Sequence, residues 1–128
     1  MRLLLDTHLL IWSIVVPGRL PPRAASLIRD PGNLKFFSAA GIWEVAIKRA
    51  LGRADFDVDA GALTEAARAD FFELPVTSDA AQGVATLPRH HRDPFDRLLV
   101  AQAIAAEALL LTQDAALSAY APHVLNAR

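Results

Sequence analysis

The chain contains no cysteine. That excludes a disulfide framework and a thiolate zinc site, and leaves an oxidising compartment neither required nor excluded. Long apolar runs are missing too: no stretch approaches the roughly 18 residues that a membrane-spanning helix needs, and the first segment has neither a basic leader nor a small-residue cleavage site. A soluble, untargeted, cytoplasmic protein that does not engage a membrane is therefore the expectation. Neither sign of charge is in excess, with 13 basic residues against 14 acidic ones, which by itself argues against a strong nucleic-acid binder. Lysine is scarce: apart from Lys35 and Lys48 every basic residue is arginine, the side chain best suited to bidentate phosphate contacts.

What is abundant is apolar side chain, 53% of 128 residues, enough to close the core of one domain spanning residues 1–128. RLLLD, residues 2–6, reads as a short buried strand that ends on a polar residue. A helix from about residue 8 to 16 follows, then a Pro/Gly-rich break and a second helix over about 23–29. LKFFS at 34–38 reads as a strand, 39–51 as a helix ended by Gly52, and 60–72 as a helix that Asp59 caps. ELPV at 73–76 is a third strand, Ser78 opens a helix to about 87, and PRHHRDP at 88–94 is a basic loop. A nearly all-apolar helix follows from Pro94, then a strand at 108–112, then a short helix and tail. Strands alternating with helices predict an α/β fold: a three-layer α/β/α sandwich around a central, mostly parallel sheet.

Four acids stand where acids are unwelcome. In open parallel sheets ligands gather beyond the carboxyl ends of the strands; Asp6 ends the first strand and Asp114 follows the last clear one. Either can equally be a helix cap. Glu44 shares a helical stripe with Ala40, Ile47 and Leu51, and its alternative is an ion pair with Lys48 one turn on. Asp96 opens the apolar helix, where the helix dipole also welcomes an acid. Carboxylates gathered in one place repel and are costly to desolvate, which a divalent cation relieves. With only oxygen ligands, no cysteine and no histidines spaced as a zinc pair, Mg²⁺ or Mn²⁺ suits them better than zinc.

The blocks LLLDTHLLIW (3–12), SAAGIWEVAIKRALGR (38–53), HRDPFDRLLVAQA (91–103) and LLLTQD (109–114) together resemble PIN-domain ribonucleases, and among them the VapC-type toxins of toxin–antitoxin pairs. The resemblance spans nearly the whole chain in family order. It implies a metal-dependent endoribonuclease that hydrolyses RNA phosphodiester bonds, a homodimer, and inhibition by a small cognate antitoxin. It assigns Asp6, Glu44, Asp96 and Asp114 as the catalytic, metal-binding acids and Thr112 as an ordering hydroxyl. Asp93 becomes an accessory ligand, with helix capping as its other reading. Gly41 departs from the pattern, since such toxins commonly carry serine there, and a supporting hydroxyl is expected to be lost.

With the four acids set aside, ten remain against 13 basic residues, a surplus of +3 outside the site. Its densest group, Arg89, His90, His91, Arg92 and Arg97, is the expected RNA-binding patch, the alternative being a solvated loop. The apolar segment 9–16, Trp12 included, offers surface for a second copy or an antitoxin helix. Two other classes compete. A phosphate-accepting receiver domain would want a lysine at the end of a late strand, and an aspartyl phosphatase an acid where His8 stands. The nearer rival is a catalytically weak PIN-like module that binds RNA or a partner helix.

Overall fold

The computed structural model describes residues 1–128. Five strands, β1 (Arg2–Leu5), β2 (Leu34–Ser38), β3 (Phe72–Leu74), β4 (Leu109–Thr112) and β5 (Val124–Asn126), form one sheet in the order β3-β2-β1-β4-β5. Every neighbouring pair is parallel, so all strands present their carboxyl ends along one edge. The helices are α1 (Thr7–Val15), α2 (Pro22–Arg29), α3 (Ala39–Ala50), α4 (Ala60–Asp70), α5 (Ser78–Gly83) and α6 (Pro94–Ala105).

The apolar run of β1 explains the three layers. Its side chains alternate across the sheet: Leu3 and Leu5 pack with Phe37, α1, α3 and α4 on one face, while Leu4 packs with Phe36, Leu110 and α6 on the other. Leu3, Leu4 and Leu5 are each at most 2% exposed, and burying each contributes about 1.5–3 kcal/mol. That burial clamps β1 at the centre of the sheet and fixes where Asp6 emerges. The sandwich expected from the sequence is thus the fold observed. No helix is long and apolar enough to cross a membrane.

Local differences have local causes. The helix expected over 78–87 is capped by Thr77 and ends at Gly83, continuing as a 3-10 turn over Val84–Thr86. β3 begins at Phe72 and stops at Leu74, before Pro75, which cannot donate to a ladder. β5 falls in the segment expected to be tail; at three residues it is too short to show periodicity. The segment offered above as a docking surface is largely consumed by the core: Leu9, Leu10, Ile11 and Trp12 are buried, and the Arg19 guanidinium covers the Trp12 ring at 4.7 Å. Only Val15 and Val16 at its end are exposed.

Candidate metal centre

Neighbouring strands bring the first site residues together. Leu5 pairs with Leu111, so Asp6 and Thr112 leave the sheet side by side. Asp6 caps α1, its Oδ1 accepting from the Leu9 N–H at 2.9 Å, and its Oδ2 accepts from the Thr112 hydroxyl. The same hydroxyl accepts from the Asp114 N–H at 3.0 Å. One threonine therefore ties both strand ends together. Asp6 is buried; desolvation raises its pKa above the usual carboxylate value, against the opposing pull of the hydrogen bonds from Thr112 and Leu9.

Ser38 caps α3, accepting from the Ala40 N–H, and α3 delivers Glu44 into the same region at 3% exposure. Its Oε1 accepts from the Thr7 hydroxyl at 2.6 Å. Its Oε2 meets Lys48 Nζ, which also reaches Asp93 Oδ2 at 3.5 Å. The lysine is therefore part of the site rather than an exposed helix partner. Burial pulls the Lys48 pKa down, but the hydrogen bond and charge of Glu44, with that of Asp93, outweigh it and hold it above the ordinary value. Gly41 acquires a physical reason: a Cβ there would stand 3.2 Å from the Thr7 hydroxyl. Glycine makes room for Thr7, and Thr7 supplies Glu44 with a hydroxyl from another element.

Asp93 caps α6 through the Phe95 N–H at 2.8 Å, with Pro94 in the first turn. Asp96, one turn further, faces inward. Its pKa is pushed up to about 7, chiefly by burial and then by the charges of Asp93, Glu44 and Asp6, with Lys48 opposing. His91 Nε2 stands 3.7 Å from Asp96 and 3.5 Å from Asp114. Its Nδ1 accepts from the Asp93 N–H at 3.1 Å, so the ring hydrogen sits on Nε2 and points at the two carboxylates. In this arrangement Nε2 turns its hydrogen toward the acids from 3.5 Å or more and offers them no electron pair.

These side chains line one recess of about 260 Å³ together with Thr7, His8, Arg53 and Leu117. Asp6, Glu44, Asp96 and Asp114 all reach it, as does Asp93. The donor set fits a divalent cation: oxygen-rich, with carboxylate oxygens of Asp96 and Asp114 converging within 4.8 Å of one another beside the His91 ring, and with an acid that burial and like charge have driven toward its protonated form. A larger cavity of about 660 Å³ lies elsewhere, between Met1, Leu34, Ile104 and His123; its apolar lining holds no such set.

The expected RNA patch divides. Arg89 and Arg92 are exposed on the 88–93 loop, and His90 packs edge-on to Tyr120 at 5.2 Å. His91 turns into the recess. Arg97 is turned away from any phosphate: its Nη2 donates to the carbonyls of Val84 and Leu87 at 3.2 and 3.3 Å, and its Nε is buried without a partner. It braces the turn after α5 against α6. Thr7 and Arg53 line the recess without having been singled out by the sequence pattern, which named Lys48 only as an ion-pair partner of Glu44. The helical spacing of Glu44 and Lys48 gave a signal for the lysine alone.

A family model described as PIN domain matches residues 3–122. No curated relative matches the chain in sequence. Among solved structures, the chain is similar to VapBC2 from Rickettsia felis bound to a DNA fragment from their promoter, with a TM-score of 0.69, 14% identity, and 98% of this chain and 97% of that one covered. It is similar to a toxin–antitoxin complex from Klebsiella pneumoniae, with a TM-score of 0.65, 21% identity, and 98% and 97% covered. VapBC-1 from nontypeable Haemophilus influenzae gives a TM-score of 0.61 at 18% identity, with 89% and 87% covered.

Proposed function

The chain belongs to the PIN domain family, and from that premise we propose that it is a Mg²⁺- or Mn²⁺-dependent endoribonuclease, acting as the VapC-type toxin of a toxin–antitoxin pair. The observation that carries this reading is the arrival of Asp6, Glu44, Asp96 and Asp114, from four separate parts of the chain, in one recess. A bound divalent cation would supply neutralisation of the phosphate charge and a water of lowered pKa. The protein's own contribution is placement. Asp6, Asp96 and Asp114 hold the cation, directly or through water. Asp6 is fixed by the Thr112 hydroxyl and the Leu9 N–H, and Asp114 by its cap to Ala116. Glu44, steadied by Thr7 and Lys48, keeps unused lone pairs on both oxygens and orients the attacking water. Asp93 is an accessory residue, acting through Lys48 and the start of α6.

Arg89 and Arg92, exposed on the loop that carries His91 and Asp93, are the contacts for the RNA backbone, and His91 serves the acids. A small antitoxin as partner is supported by the toxin–antitoxin complexes among the similar structures. Homodimerisation is in keeping with the exposed Trp43, whose ring meets that of the half-buried Phe95 at 5.1 Å between ring centres. The rival of a feeble binding module rested on Gly41, and Thr7 weakens that rival by holding Glu44 from across the site.

The test is cleavage of single-stranded and structured RNAs by the purified protein with Mg²⁺, with Mn²⁺ and with chelator, beside Asp6→Asn. Cation-dependent cleavage that Asp6→Asn loses supports the reading; cation-independent cleavage, or an active Asp6→Asn, removes it. Co-purification with a small partner checks the toxin assignment.

A further inference from the structure

The recess has a cationic side as well as an acidic one. Lys48 and Arg53 both line it, but they are not equally free. Lys48 is occupied by Glu44 and Asp93. Arg53, in the turn after α3, is occupied on one edge only: its Nε and Nη2 donate to the two oxygens of Asp55, each at 3.2 Å, while Nη1 makes no hydrogen bond within the chain. The guanidinium lies 5.5 Å from the centre of the Phe56 ring, which is wholly buried. Asp55 Oδ2 also accepts from His8 Nε2 at 3.1 Å, and the His8 ring packs 4.9 Å from the same phenylalanine. A two-point fork and an immobile ring therefore fix the plane of the guanidinium and leave its outer edge open. An arginine so held has already lost the rotamer freedom that binding would otherwise take from it.

We propose that Arg53 docks a phosphate of the bound RNA strand next to the one being cleaved, with Nη1 donating to its non-bridging oxygens, and that Asp55 is the positioning residue that aims it. This rests on the RNA-cleaving reading above. The half-exposed place of Arg53 at the rim, beside acids that are buried deeper, suits a flanking phosphate rather than the reacting one. Asp55 sharpens the distinction between orientation and bulk charge: removing its carboxylate makes the protein more positive, so simple attraction would then bind RNA more tightly, whereas loss of aim would weaken binding.

The experiment measures kcat and KM on a short single-stranded RNA, and equilibrium binding of the same RNA across a salt series in the uncleaving Asp6→Asn background. Arg53→Ala is expected to raise KM and weaken binding about tenfold at low salt, to flatten the log–log salt slope by about 0.7, and to leave kcat within about threefold. Arg53→Lys should recover part of the loss, and Asp55→Asn should also weaken binding. Unchanged binding and salt slope in Arg53→Ala, a loss confined to kcat, or tighter binding by Asp55→Asn would each overturn the proposal. Circular dichroism of each variant checks that it is folded. Because the binding series needs no cleavage, failure of the wild type to cut RNA would count against the nuclease reading, and the Arg53 proposal would still be judged on binding.

Discussion

Asp6 and Glu44 share a recess with Asp96 and Asp114, yet the two pairs are held in different ways. The first pair is buried at 6% and 3% exposure, and each carboxylate receives a threonine hydroxyl, from Thr112 and Thr7. The second pair sits nearer the mouth, with inward oxygens that meet only the Nε2 of His91, at 3.5 and 3.7 Å. The fold gives two of the carboxylates a hydroxyl donor and leaves the inward oxygens of the other two without one. The fold provides a rigid floor and an open rim, the arrangement a cation site needs if a ligand is to enter and exchange.

The largest expected difference is in activity. Asp96→Asn removes a rim charge while keeping shape, and should lower cation-dependent RNA cleavage by more than about 100-fold; activity within tenfold of wild type would place Asp96 outside the site. Next is stability. Asp96 has its folded pKa raised from 3.8 to about 7, so between those values the folded protein keeps a proton that the unfolded chain has released. Stability of the cation-free protein should therefore fall as pH rises from about 4 to 7 and level off above, by an amount on the order of 2 kcal/mol, since neighbouring acids share the titration. Denaturant midpoints at pH 5 and pH 8 measure it, and the slope should flatten in Asp96→Asn.

The floor is probed by Thr112→Val, which removes the donor to Asp6 and the acceptor for the Asp114 N–H. A loss of about 1–2 kcal/mol in stability and a tenfold or greater drop in cleavage are expected; a variant at wild-type activity would show that the floor needs no such tie. The smallest effect belongs to Gly41→Ala. Helix propensity favours it by up to about 1 kcal/mol, while its Cβ must displace the Thr7 hydroxyl. Stability should stay within about 0.5 kcal/mol of wild type, and cleavage should fall a few-fold as Glu44 shifts. Faster cleavage would mean that Thr7 and Glu44 tolerate the crowding.

The same contrast marks what could be read in the sequence. The floor was legible because each of its acids interrupts an apolar pattern: Asp6 ends LLL, and Glu44 stands on a stripe with Ala40 and Ile47. The three layers followed from the alternation of strands and helices. The ends were less visible, because the three residues of β5 and the break at Gly83 depend on pairing and packing rather than periodicity. The rim was harder still. The positions of His91 and Arg53 relative to the acids depend on loop paths that no local spacing encodes. Arg97, expected in the RNA-binding patch from its neighbours in sequence, is claimed by the carbonyls of Val84 and Leu87.

The most direct measurement is calorimetric titration of the cation-free protein with Mn²⁺ or Mg²⁺ near pH 6.5, in buffers of differing ionisation enthalpy. If the rim acids receive the cation, binding releases a large fraction of a proton from Asp96, and Asp96→Asn abolishes that release. Cation binding with no proton released, or no binding by the wild-type chain, would contradict the account.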